Sequence, residues 1–229
     1  MSGDFTDGYG DFKAYSTPRL KDKHVRQFDR EFWQPTACTP SMTVLDAGCG
    51  TGNFLAYLSA KGVEDYLGID RDPALADVIP ETAAGHFQAV DVMGFVNGGA
   101  GERTFDRIVL FDVLEHFTAE DGVALLRGLS AILRDDGCIL VKVPNMASPW
   151  GAQHQYGDLT HRAAYTPNSM RQLALAAGLD CLRCDRQISG SPPRCVLDGL
   201  LHGILDRVLM EPPEIWSANF FALLAPRTG

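Results

Sequence analysis

The stretch TVLDAGCGTG, residues 43–52, decides the fold. Its first residues suit a strand that stops at Asp46. Gly48, Gly50 and Gly52 then stand at alternate positions, where the backbone can turn sharply and approach a ligand without side chains intervening. A helical pattern begins at once, and the N–H groups of a helix N-terminus can meet an anionic oxygen. Strand, glycines and helix in that order are the context that makes such a motif credible. A purely structural turn would need only two glycines. The spacing is GxGxG and not GxGxxG, in which each glycine has its own steric task around a pyrophosphate.

Outward from this loop the pattern alternates. The apolar runs DYLGID, HFQAVDV, FDRIVLFDV and GCILVKV follow, separated by helix candidates at 52–61, 73–79 and 119–133 and a short turn near 93–97. Gly137 reads as a helix stop feeding the last of these runs. Strands separated by helices predict βαβ units and a parallel sheet covered on both faces. Asp70 closes the second strand, and a carboxylate there can accept both hydroxyls of a ribose. The other reading is a cap before Asp72-Pro73, which Asp72 fills as well.

After Pro144 the rhythm is lost. Residues 145–165 are polar, aromatic and His-rich, and a long irregular loop in a compact domain is usually functional. Thr166-Pro167 then opens a helix that runs to Gly178. A strand at 180–187, a loop with Pro192-Pro193, an apolar helix at 196–209 and a strand at 218–225 complete the chain. Upstream, Val25, Phe28 and Phe32 have helical spacing within 18–33, after a Gly- and Asp-rich arm over 1–16.

VLDAGCGTG and YLGID resemble motifs I and II of the class I S-adenosylmethionine-dependent methyltransferases. The likeness continues in order through FQAVDV (87–92), FDRIVLFDVLEHF (105–117) and LRDDGCILVKVPN (133–145). It implies an α/β fold: a doubly wound, mostly parallel seven-stranded sheet, Rossmann-like, whose last strand is antiparallel. It also implies an arm and helical lid over 1–40 and a methyltransferase domain over 41–229, with acceptor-site insertions at 145–165 and 188–210. The cofactor would be S-adenosyl-L-methionine, released as S-adenosyl-L-homocysteine. Asp46, Gly48, Cys49 (by its backbone) and Gly50 would line the methionine end, Asp70 would hold the ribose, and Arg71 would flank the adenine. Asp91 would accept from the adenine amino group, Val92 or Met93 would offer a backbone contact, and Phe111 and Asp112 would lie beneath the sulfonium. Asp91 as a mere turn cap and Phe111 as mere core stay open. The run DLTHRAAYTPNSMRQLALAAGL is similar to the tail of a subgroup found with glycan and surface-polysaccharide synthesis, which implies a saccharide or other small-molecule acceptor.

Transfer to a hydroxyl requires that a proton be removed. His116 follows Asp112-Val-Leu-Glu115, and His154, Asp158 and His161 occupy the long loop. An Asp three residues before a His can orient its ring, so Asp158 and His161 form the candidate base pair. A structural role for His161 and Arg162 is the competing reading. Asp112-x-x-Glu115-His116 also resembles the E-x-x-E-H run that binds a divalent metal in some O-methyltransferases, with Asp in place of the first Glu. With His161 or His154 it could hold Mg²⁺ or Zn²⁺, although a metal-free site is the favoured reading. An aromatic or quinone-like acceptor could stack on Trp150, Tyr156 or Tyr165. A cofactor-binding protein without turnover is the non-enzymatic alternative.

Composition narrows the field. The 229 residues are 45% hydrophobic, enough for a core, which excludes general disorder. Lys and Arg number 20 against 29 Asp and Glu, a net charge of −9 that disfavours nucleic acid as a partner. Of six cysteines only Cys181 and Cys184 have a CxxC spacing. In a strand such a pair points to opposite faces, so both are expected to be packing residues. The segment 196–209 is expected to be core or a dimer contact, in a monomer or homodimer. No signal-peptide pattern and no membrane span are legible, which favours a reduced, cytoplasmic protein.

Overall fold

Alternation of side chains along the strands divides the apolar residues between two layers. A computed structural model describes residues 15–227, so nearly all of the expected arm lies outside the described residues. β1 (Val44–Ala47) is buried at every position, as a strand covered on both faces must be. Val44 faces one core while Leu45 faces the other, and Leu140 and Phe221 likewise oppose Ile139 and Phe220.

The sheet has seven strands: β1, β2 (Tyr66–Asp70), β3 (Phe87–Ala89), β4 (Phe105–Phe111), β5 (Leu133–Pro144), β6 (Leu179–Arg186) and β7 (Asn219–Pro226). Their order is β3-β2-β1-β4-β5-β7-β6. The first five pair in parallel, and β7 runs antiparallel to both of its neighbours. Chain reversal occurs in sheet order at β1, so the carboxyl ends of β1 and β4 flank the crevice where open α/β sheets take ligands.

Helices α1 (Asp22–Phe28), α2 (Asn53–Ala60), α3 (Ala119–Ala131), α4 (Pro167–Ala177) and α5 (Pro192–Val208) surround the sheet. A π-turn over Asp29–Trp33 continues α1. Phe28 and Phe32 pack edge-on against Phe54 of α2, and Asp29 accepts from the Tyr57 hydroxyl and pairs with Lys61. α4 is specified locally: Thr166 and Ser169 form a reciprocal capping box, Pro167 begins the helix, and Gly178 ends it at φ +83°.

Four expectations need correction. The prolines of Pro192-Pro193 are the first residues of α5 and not a loop, because a helix needs no N–H bond there. Gly137 lies inside β5, at an irregularity in its pairing with β4, and does not end a helix. β3 is only three residues long, since Asp91 turns the chain by accepting from the N–H groups of Met93 and Gly94. The apolar side of α5 is not core: Leu197, Leu200 and Ile204 are exposed, and His202 is its one buried residue. No helix among the described residues is long and apolar enough to cross a membrane.

Candidate functional site

Gly48 and Gly50 adopt φ +85° and +51°, a region that side chains rarely enter. A Cβ on Gly48 would also stand 2.4 Å from Val113 Cγ2, whereas one on Gly50 would meet open space. The loop is strapped to the end of β2. Gly48 N and Cys49 N donate to the Ile69 carbonyl, and Gly50 N donates to Asp70 Oδ2 at 3.0 Å. Asp70 Oδ1 accepts from Asp72 N at 3.2 Å, while Asp72 itself caps the next turn by accepting from Ala74 N. The cap is therefore the work of Asp72, and Asp70 holds the glycine loop.

This loop forms one wall of a cleft of about 440 Å³, whose other walls come from α1, α2 and the ends of β4, β5 and β7. The cleft brings together Asp46, Gly48, Cys49, Gly50 and Phe111 from the expected set, with Asp70 bonded behind Gly50. Arg71, Asp91, Val92 and Asp112 are not among its lining residues. Asp91 spends one carboxylate oxygen on the turn after β3, and Val92 is buried in the core. Asp112 has φ +58°, uncommon for a residue with a side chain, and its carboxylate meets Lys142 Nζ at 2.6 Å.

Asp46 is buried. Loss of water, and then the charge of Asp70, push its carboxyl up to about 8, so a cation placed in the cleft would be favoured by it. Glu31, from the π-turn after α1, is also buried at the cleft, with both carboxylate oxygens accepting from Gln27 Nε2. Burial raises its pKa against the opposing effect of those bonds. Sequence reasoning missed Glu31 and Lys142. Lys142 carried a signal, a lone charge inside the apolar run ILVKV; Glu31 carried none, because only the packing of α1 buries it.

A second polar cluster follows the end of β4 and shares none of the residues that line the cleft. The rings of His116 and His161 lie 4.7 Å apart, nearly perpendicular. Nδ1 of His161 faces the Gln155 carbonyl at 2.9 Å, and a carbonyl only accepts, so that nitrogen carries the proton. Thr160 Oγ1 donates to Asp158 Oδ1 at 2.6 Å and bonds His116 Nδ1 at 2.9 Å. With its one proton committed to Asp158, Thr160 accepts from His116. Asp158 thus orients His116 through Thr160, and a backbone carbonyl orients His161. This departs from the expected pairing, because the loop turns at Asp158 and presents Thr160 to the carboxylate. Burial, then the neighbouring His161, lower the pKa of His116, which favours the uncharged ring. His154 is exposed on the short helix Ala152–Gln155.

Next to His116 in the chain, Glu115 is fully buried, and neither carboxyl oxygen has a hydrogen-bond partner among the described residues. Burial, then the charge of Asp112, push its pKa to about 8. Its backbone carbonyl accepts from Arg162 N and Ala163 N, tying the long loop to the end of β4. Tyr165 is buried in the core and cannot stack an acceptor, whereas Trp150 and Tyr156 are exposed. No group of three or more His, Cys, Asp or Glu side chains among the described residues could hold a metal ion. Asp112 is engaged by Lys142, and Glu115 is enclosed, so the Asp-x-x-Glu-His run does not converge as a ligand set.

Comparison with known proteins agrees with this geometry. A family model described as a methyltransferase domain matches residues 15–183. No curated protein matches the chain by sequence. A SAM-dependent methyltransferase from Archaeoglobus fulgidus is similar in structure, with a TM-score of 0.62, 18% identity, and coverage of 88% of this chain and 91% of that one. So is a 1,6-didemethyltoxoflavin-N1-methyltransferase from Burkholderia thailandensis, at 0.62 and 18%, covering 98% and 86%. A magnesium protoporphyrin IX methyltransferase from Synechocystis, with bound SAM, gives 0.60 and 13%, covering 97% and 92%.

Proposed function

Because the chain belongs to the S-adenosylmethionine-dependent methyltransferases of class I, we propose that it methylates a hydroxyl of a small-molecule or sugar acceptor, with His161 as base. The observation that carries this reading is the histidine pair, whose Nδ1 atoms are both committed as donors and whose Nε2 lone pairs are thereby left to accept a proton.

The chain's own residues divide the work. Asp46, with its carboxyl held near 8 by burial, takes the ammonium of the methionine moiety and is stabilised as a carboxylate by it. Gly48 and Gly50 let backbone come close, and Asp70, already fixed by Gly50 N and Asp72 N, keeps lone pairs for a ribose. Arg71 and Asp91 border the adenine, with Val92 supplying backbone, and Phe111 and Asp112 lie under the reacting centre. When bound, S-adenosylmethionine supplies a methyl activated on a sulfonium with a good leaving group. Holding the acceptor in line lowers the barrier by several kcal/mol, about 7 or more in well-oriented systems. His161 Nε2 takes the hydroxyl proton, and His116, steadied by Thr160 and Asp158, keeps the ring of its neighbour in place. Residues 1–40 serve as arm and lid, with α1 over the cleft, and 145–165 with 188–210 as acceptor walls.

The relatives named above act on nitrogen in one case and on a porphyrin in another, so the acceptor here rests on the loop chemistry and not on them. The test is an acceptor screen over sugars and phenols that follows release of S-adenosylhomocysteine, with His161→Ala alongside. The variant should bind S-adenosylhomocysteine as the native chain does and turn over no acceptor. A native rate in the variant would remove His161 from the mechanism. Tight product binding with no acceptor consumed would favour a protein that binds the cofactor without turnover.

A further inference from the structure

The CxxC pair does not behave as a strand pair should. β6 carries a bulge: Cys181 pairs with Leu224, Arg183 with Leu223 and Cys184 with Ala222, which leaves Leu182 as an extra residue. One extra residue reverses the alternation, so Cys181 and Cys184 come to the same face instead of opposite ones. Both pack against the core layer of α4, and their sulfurs lie 3.7 Å apart. Both remain partly accessible because β6 is an edge strand. Beside them, Arg171 of α4 holds Glu214 through two guanidinium–carboxylate bonds.

We propose that Cys181 and Cys184 form a reversible dithiol–disulfide site that is oxidised by an external low-molecular-weight disulfide. Joining the sulfurs requires them to approach to about 2 Å, a short movement from van der Waals contact. Cys181 is the attacking thiol. The hydrogen bond from Cys184, and next the Arg171 guanidinium, hold it below the usual thiol range, while Cys184 is held above it by that same bond. In the first step the Cys181 thiolate attacks one sulfur of the external disulfide, whose S–S bond breaks and releases one thiolate. Cys184 then loses its proton to solvent and attacks Cys181 Sγ, forming the internal S–S bond and expelling the second thiolate. Two electrons pass from the pair to the external disulfide, which leaves as two thiols. A bond closing so short a loop at a bulge belongs with the strained, labile disulfides that reducing thiols reopen.

The four other cysteines provide internal controls. Cys38, Cys49 and Cys138 are buried, and Cys195 has no sulfur neighbour among the described residues. The experiment treats the full chain with glutathione disulfide, traps free thiols with iodoacetamide, and maps the peptides by mass spectrometry. The expected product is a peptide lacking two hydrogens with both Cys181 and Cys184 protected from alkylation, restored by dithiothreitol. Cys184→Ser should stop at one glutathionyl group on Cys181, with native circular dichroism. The proposal is overturned if the native chain accumulates that mixed disulfide without closing, or if Cys195 is modified while Cys181 and Cys184 stay free.

Discussion

Gly48 and Thr160 show how differently single residues announce themselves. Gly48 was visible in the motif, and its need is twofold: a left-handed φ and a Cβ that would collide with Val113. Gly48→Ala should therefore abolish S-adenosylhomocysteine binding by calorimetry. Val113→Ala in the same chain should restore part of it, since it removes the clash but leaves the backbone cost of about 1–2 kcal/mol. Thr160 gave no signal, because its value lies in standing between an Asp and a His that are distant in sequence. Thr160→Val keeps the shape and loses both bonds. We expect kcat to fall by roughly 10-fold, worth about 1.4 kcal/mol, with cofactor affinity unchanged. An unaltered kcat and pH profile would make that link structural only.

At the scale of elements, α1 and α4 make the contrast. The ends of α4 were legible because capping is local: Thr166, Pro167 and Gly178 act within a turn of themselves. Thr166→Ala should cost about 1 kcal/mol, read as a lower thermal midpoint with turnover intact. The ends of α1 were less legible, and its role depends on what it covers. Phe32 is fully buried, and Phe32→Ala should cost about 3–5 kcal/mol of stability. Phe28 instead bridges α2 and Phe111 at the cleft. Phe28→Ala should weaken cofactor binding with a smaller fall in midpoint than Phe32→Ala. The reverse ranking would deny α1 its place over the cofactor. The bulge of β6 escaped the sequence because it is set by pairing with β7.

For the whole molecule, two buried carboxyls make stability depend on pH. Glu115 moves from 4.5 to about 8 on folding, and Asp46 from 3.8 to about 8. Between those limits the folded chain binds more protons than the unfolded one, so this contribution is complete below the unfolded values and is lost as pH rises toward 8. Urea midpoints of the ligand-free chain should therefore fall across that window. Glu115→Gln, which cannot ionise, should flatten the fall. An unchanged slope in the variant would show that Glu115 titrates normally.

The strand–loop–helix at 43–62, the order of βαβ units, the glycine loop with Asp46 and Asp70, and the capped helix after Thr166 could all be read from the linear chain. Each rests on interactions between residues close along the chain, or on periodicities of two and 3.6 that a line of letters preserves. Folding in three dimensions was needed to bring Glu31 and Lys142 into the cleft, to join Asp158 to His116 through Thr160, to bury Tyr165 in the core and to set the two thiols of β6 on one face. Those facts depend on which surfaces meet and on a one-residue slip in strand register, and the distances involved join residues far apart in the chain.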